Sequence, residues 1–167
     1  MDAITDPASL RGRDDVEFLA PEPTESADHF DAYADAAGRA IVGVTDDDGR
    51  LLVMEHPELP VPGLNTTVVE SGADFVATAR EGVALGTGLD VAVEDVLRVR
   101  HQRPRHPDDR ETEAYEVVFA ATPTGDGEID PDAGHDWTAT WRDPAAVDLP
   151  DEEDNEVLSD LRLFLPD

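Results

Sequence analysis

The sequence predicts an α/β domain, a mixed sheet flanked by helices. Three observations carry that prediction. Apolar runs of strand length (RAIVGV, LLVME, TTVVE and YEVVFAA) alternate with turn-rich stretches. One longer segment, residues 75–86, instead repeats its apolar residues at helical spacing. The length of 167 residues fits one domain with one real core.

Residues 1–14 are polar and are expected to form a flexible leader, leaving 15–167 as a single domain. Residues 16–19 read as a short edge strand closed by Pro21 and Pro23. Thr24 or Ser26 can then cap a small helix reaching about Ala36. Gly38 opens a hairpin pattern: RAIVGV, the turn DDDGR, then LLVME, with Gly49 supplying the positive backbone angle of a tight turn. Met54, at the end of that run, reads as buried strand filler. Pro57, Pro60, Pro62 and Gly63 make 55–64 a loop, and TTVVE at 66–70 reads as a strand.

Asp74 stands where its charge meets the unpaired N–H groups of the following helix. That helix, residues 75–86, has an apolar face of Phe75, Ala79 and Val83 with Val76 beside it, and Gly88 closes it. Residues 91–99 form a strand pattern, 101–110 a loop, 115–122 the clearest later strand and 137–141 a further one. Asp151 is expected to cap a final helix whose apolar side is Val157, Leu158, Leu161 and Phe164 or Leu165.

Composition sets the solvent. Forty acidic residues stand against twelve arginines with no lysine, giving a formal net charge of -28. Such self-repulsion is severe at ordinary ionic strength, whereas molar salt shrinks the Debye length to about 3 Å. The acids are spread along the chain between apolar runs rather than gathered in a tail, so the reading is a folded protein suited to a very salty interior, as in a halophilic archaeon-like cell. The charge argues against nucleic-acid partners and against anionic membranes. Cysteine is absent, which removes disulfides and thiolate metal ligands. The N-terminal stretch lacks an apolar signal region and no run approaches 18 apolar residues, so a cytoplasmic protein is expected.

From residue 38 to 89 the order is strand, acidic turn, strand, proline-bearing loop, ESGAD, helix, TGLDV. This resembles the Nudix family of pyrophosphohydrolases, whose signature is G-x5-E-x7-R-E-U-x-E-E-x-G-U with U aliphatic. VVESGAD is similar to the family's approach to that box and TGLDV to its close. The resemblance implies a Nudix-type α/β/α sandwich with a mixed β-sheet, over a domain of residues 15–167. In this register Thr67 takes the opening glycine position and Ala73 the first glutamate position. Glu81 and Gly82 take the Arg-Glu positions, Val83 the aliphatic one, and Leu85 and Gly86 the two remaining glutamates. Gly88 and Leu89 match. A shift of one residue recovers Arg80 and Glu81 as the Arg-Glu pair but gives up Gly88 and the approach.

The family resemblance implies metal-dependent cleavage of a nucleoside diphosphate linked to another group. There, helix carboxylates hold magnesium or manganese against the diphosphate. Glutamates three and four residues apart would present their oxygens on one face, which here offers Gly82, Leu85 and Gly86. The box is therefore degenerate. The expected protein is a Nudix-fold chain with impaired or lost pyrophosphohydrolase activity that binds a nucleotide-like ligand or a protein partner. In the alternative, it is a metal-dependent hydrolase of nucleoside diphosphate derivatives using displaced acids: Glu70, Asp74, Glu81, or the later Glu111, Glu113 and Glu116. No cofactor is expected in the first case, magnesium or manganese in the second, and the resemblance allows a homodimer. Gly82 and Gly86 would either let a neighbouring loop pack closely or leave a shallow apolar notch for a ligand or partner.

Arg98, Arg100, Arg103, Arg105 and Arg110 cluster in thirteen residues beside His101 and His106. Arginine's fork suits phosphate, so Arg98, Arg100, Arg103 and Arg105 are candidate phosphate-binding residues; the competing reading pairs the cluster with acids such as Asp95, Asp108 and Asp109. The five histidines lack compact ligand spacing, and no histidine metal site is expected. Trp137 and Trp141, four residues apart, share a face on a strand or a helix. By resemblance they are candidates for stacking on a base, and core or interface packing is the alternative.

Overall fold

The computed structural model describes residues 1–151 and 155–166. Seven strands and three helices follow in order: β1 (Glu17–Leu19), α1 (Ala27–Tyr33), β2 (Ala36–Val44), β3 (Leu51–Glu55), β4 (Asn65–Glu70), α2 (Phe75–Thr87), β5 (Val91–Gln102), β6 (Ala114–Pro123), β7 (Thr138–Arg142) and α3 (Glu156–Arg162). Five strands make one mixed sheet in the order β1-β5-β6-β2-β4, and β3 and β7 make a separate antiparallel pair. β1 runs parallel to β5 and β2 parallel to β6, while β2–β4 and β5–β6 are antiparallel.

Alternation along β2 explains the layering. Ala40, Val42 and Val44 point to one face with Val117 and Phe119 of β6, and there they bury Phe75, Val76, Ala79 and Val83 of α2. Ile41 and Val118 point to the other face, where Leu161 of α3 joins Leu51, Val53 and Leu64. Both faces of the central strands are thus covered, which is why their sequences read as near-continuous apolar runs. Phe75, Ala79 and Val83 have no exposed surface. Burying a valine or phenylalanine of this kind stabilises the fold by about 1.5 to 3 kcal/mol.

The expected elements are present, with instructive departures. The pattern at 38–55 forms two strands but no hairpin. β2 already has β4 on one side and β6 on the other, so both of its hydrogen-bonding edges are taken. After a single bridge between Thr45 and Leu51, β3 leaves and pairs with β7. The turn keeps its predicted chemistry: Gly49 has φ +79°, and Asp46 accepts from the backbone N–H groups of Asp48 and Arg50 at 3.0 and 2.8 Å.

The first helix stops at Tyr33 because β2 begins at Ala36; Ser26 is its cap. β5 runs through Gln102, past the expected end at Val99. The final helix is capped by Asn155 rather than Asp151, and Val157 on it is 56% exposed instead of lying on the apolar side. Residues 1–14, expected to be a flexible leader, pack onto the domain in this structure. Leu10 is buried, and the Ile4 N–H donates to Asp74 at 2.8 Å while the Ile4 carbonyl accepts from Phe75 N–H at 2.8 Å. Among the described residues, no helix is long and apolar enough to cross a membrane.

Candidate functional site: a cleft along β4

β4 is the edge strand of the large sheet, and α2 lies against it. Asp74 caps α2 by accepting from Val76 N–H at 2.9 Å, and Gly88 ends it in the left-handed conformation at φ +79°. Two glycines inside a helix cost roughly 1 kcal/mol each relative to alanine. The reason for them is contact with β4 and its surroundings. A Cβ on Gly82 would collide with the Thr67 side chain, whose own Cβ would be 2.8 Å away. A Cβ on Gly86 would lie 2.7 Å from Asn65 Nδ2. A Cβ on Gly134, in the loop before β7, would fall 2.8 Å from the Gly86 carbonyl. A strand therefore closes on Gly82 and a loop on Gly86.

Asn65 fixes this junction. Its Nδ2 donates to the Gly82 carbonyl at 3.3 Å, while its buried Oδ1 has no hydrogen-bond partner. Such an acceptor costs about 1 to 3 kcal/mol when left unmade.

Outside the junction runs a cleft of about 590 Å³, walled by the start of β4, Gly82 and Gly86, the loop 59–63, Trp137 and α3. Because β4 is an edge strand, residues from both faces of the sheet reach this cleft: Asn65 and Thr67 on the α2 side, Arg39 and Thr66 on the α3 side. A smaller cavity of about 190 Å³, holding Tyr33, Gln102 and Glu116, shares Arg39, Leu64, Thr66 and Val157 with it. Among the described residues the main cleft has no aspartate or glutamate in its lining, although about one residue in four of the chain is acidic. The one formal charge of that described lining is Arg39, half-buried, with its guanidinium 5.1 Å from the centre of the Tyr33 ring. No carboxylate pairs with it among the described residues, while seven other arginines have such partners.

Beneath the smaller cavity lies a buried ion network. Asp160 of α3, 3% exposed, accepts from Arg98 Nη1 at 2.8 Å and from Arg100 Nη2 at 2.7 Å. Arg100 also meets Glu156 at 3.0 Å and Glu116 at 3.4 Å, and Arg98 meets Glu17. Burial works against the charge of Arg100, but hydrogen bonding to Asp160 and the fields of Asp160, Glu116 and Glu156 outweigh it and raise its pKa. Burial, then the charge of Glu116, pushes the Tyr33 phenol up to about 12.

The sequence-derived candidates are scattered by this arrangement. Arg98 and Arg100 are consumed by α3 and Glu116, Arg103 donates to the Pro21 carbonyl at 3.0 Å, and Arg105 pairs with Glu111 at 2.9 Å. Of the three acids expected as partners, Asp108 alone serves, for Arg110. Glu70 and Glu81 are exposed and Asp74 is spent on the helix cap and on Ile4, so the three are not gathered around one point. Glu113 meets His101 at 2.9 Å. Leu85 is 77% exposed and Ala73 half-buried. β7 starts at Thr138, so the two tryptophans part: Trp137 lines the cleft 5.0 Å from the His56 ring, while Trp141 packs on the main core and donates to the Gly127 carbonyl at 2.9 Å. Met54, buried as expected, also touches the cleft.

Magnesium or manganese would need several hard oxygen donors converging on one point. The residues at the glycine-bearing face do not supply them, and among the described residues no group of three or more His, Cys, Asp or Glu side chains could hold a metal ion. Arg39 and Asn65 were not singled out by the sequence. The available signal was a lone arginine inside the apolar run RAIVGV and an asparagine at the head of TTVVE.

No protein-family model matches the sequence, and neither does any curated protein. Solved structures do match in fold. An E. coli dihydroneopterin triphosphate pyrophosphohydrolase superposes with a TM-score of 0.55 at 16% identity, over 78% of this chain and 93% of that one. A UDP-X diphosphatase gives 0.51 at 14% identity, over 79% and 64%. At such identity the likeness establishes the fold, a Nudix-type α/β/α sandwich, and nothing finer.

Proposed function

We propose that this Nudix-fold protein binds a nucleotide-like small molecule in the β4 cleft without hydrolysing it. The carrying observation is the filled space at Gly82 and Gly86. In the register of the Nudix signature, Thr67 stands at a glycine position and Gly82 at a glutamate position, so side chain and gap have changed places across the helix–strand contact. Thr67 takes up the volume beside Gly82, and Asn65 that beside Gly86. A carboxylate restored at position 82 has nowhere to go unless Thr67 recedes. The cleft itself, about 590 Å³ and mostly apolar with Trp137 on its wall, fits a ring system.

The test is turnover in molar KCl with magnesium or manganese, against nucleoside triphosphates, nucleotide sugars and dinucleotides. The expected result is no metal-dependent hydrolysis, together with metal-independent binding of one of these compounds. Strong magnesium-dependent turnover that disappears when Glu70, Asp74 or Glu81 is neutralised would overturn the proposal in favour of displaced ligands.

A further inference from the structure

We infer that the cleft is a metal-free oxyanion site: its ligand carries one phosphate or carboxylate group, held by Arg39, on an apolar ring that lies between the 59–63 loop and Trp137. This rests on the binding reading above and names the class of ligand.

The charge distribution is the first argument. In a chain of net charge -28, Arg39 is half-buried and forms no ion pair with a carboxylate among the described residues; Glu116, its cross-strand neighbour on β6, is engaged by Arg100 and Gln102 instead, which leaves the guanidinium available. Its guanidinium presents a planar fork of donors suited to an oxyanion. The overall negative charge does not forbid an anionic ligand, because at molar salt the Debye length is about 3 Å and distant acids are screened, so the nearest charge decides. Among the described residues, that nearest charge in the main cleft is Arg39.

The second argument is the orphaned acceptor. Asn65, a residue of the cleft lining, is 6% exposed, and its Nδ2 is committed to the Gly82 carbonyl, which leaves Oδ1 as a buried acceptor without a partner. A ligand whose ring or substituent carries an N–H or O–H group answers that need, while its oxyanion reaches Arg39 on the opposite side of β4. Most of the remaining surface is apolar, from Met54, Leu59, Val61, Leu64 and Leu158, with Thr66, Thr67 and Asn155 as its other polar side chains, which fits a ring rather than an extended chain of charged groups. Among the described residues of the lining, a diphosphate with its metal would meet a single cation and no acidic partner.

Calorimetric titration in molar KCl with EDTA tests this, using phenyl phosphate and benzoate as probes and phenol as the uncharged control. Saturable binding of at least one oxyanion is expected, tighter than phenol, and the tighter of the two identifies the head group. Arg39→Gln should weaken that binding about tenfold or more, a change of about 1.4 kcal/mol. Thr66→Glu is the second variant, valuable if Arg39→Gln fails to fold. Position 66 is diagonal to Arg39 across the β2–β4 ladder, so the new carboxylate should occupy the arginine internally and also weaken binding.

Absence of saturation by either oxyanion overturns the inference, and so does equal affinity in the folded variants. An uncharged nucleoside that binds wild type and Arg39→Gln alike would sink the oxyanion site yet leave the binding function standing. Magnesium-dependent turnover would remove the non-hydrolysing reading even if Arg39 proved essential.

Discussion

At Gly82 the usual preference of a helix for alanine over glycine is reversed by what lies opposite. Alanine would gain about 1 kcal/mol of intrinsic helix propensity. Overpacking against Thr67 costs about 1 to 3 kcal/mol, so Gly82→Ala should destabilise on balance. Combined with Thr67→Gly, the same substitution should recover stability, and denaturant unfolding of the two single variants and the double one in molar KCl measures the coupling. Tyr33 supplies a second test at this scale. Its phenol, raised to about 12 in the fold against about 10 when unfolded, stays protonated where the unfolded chain has lost its proton. The native state then binds the extra proton. Its contribution is complete below pH of about 10 and is lost as pH rises towards about 12. Stability curves over that range should flatten in Tyr33→Phe. Neither effect was legible in the sequence, because a glycine shows nothing of the atom it faces and a tyrosine nothing of its burial.

Among the elements, α3 is short, seven residues, and is held by charge as much as by Leu158 and Leu161. Asp160 is the common acceptor for Arg98 and Arg100, so Asp160→Ala leaves two buried guanidinium groups short of a partner. Removing one side of a buried pair costs about 3 to 5 kcal/mol. The expected outcome is a lower denaturation midpoint and weakened ligand binding, since α3 also contributes Val157 and Leu158 to the cleft. The arginine cluster was visible in the sequence, but its main partner lies sixty residues away, beyond any local pattern. The failed hairpin has the same cause. Local turn chemistry at Asp46 to Arg50 was readable; that β4 and β6 would claim both edges of β2 was not. The helix α2, by contrast, was predicted closely, because its periodic apolar face, its capping aspartate and its closing glycine are all local signals.

For the whole molecule, the charge of -28 predicts a fold whose stability depends on salt. Screening falls as the Debye length grows from about 3 Å at 1 M to about 10 Å at 0.1 M. Circular dichroism across a KCl series should show the chain losing structure as salt is diluted, and an unchanged melting temperature would contradict this. The penalty of Asp160→Ala should persist in molar KCl, because buried pairs are screened much less than surface ones. By itself, the sequence determined the alternation of strands and helices, the core face of α2, the lack of a carboxylate pair on the later part of that helix, and the charge from which salt dependence is expected. All of these follow from residue type and short-range spacing. Only the tertiary structure decided that Thr67 and Asn65 fill the space beside the two glycines, that the tryptophans part, and that Arg39 faces a cleft whose described lining holds no acid. Those facts depend on which strands are brought side by side, and a strand's neighbours are chosen by the free edges and faces of the entire sheet.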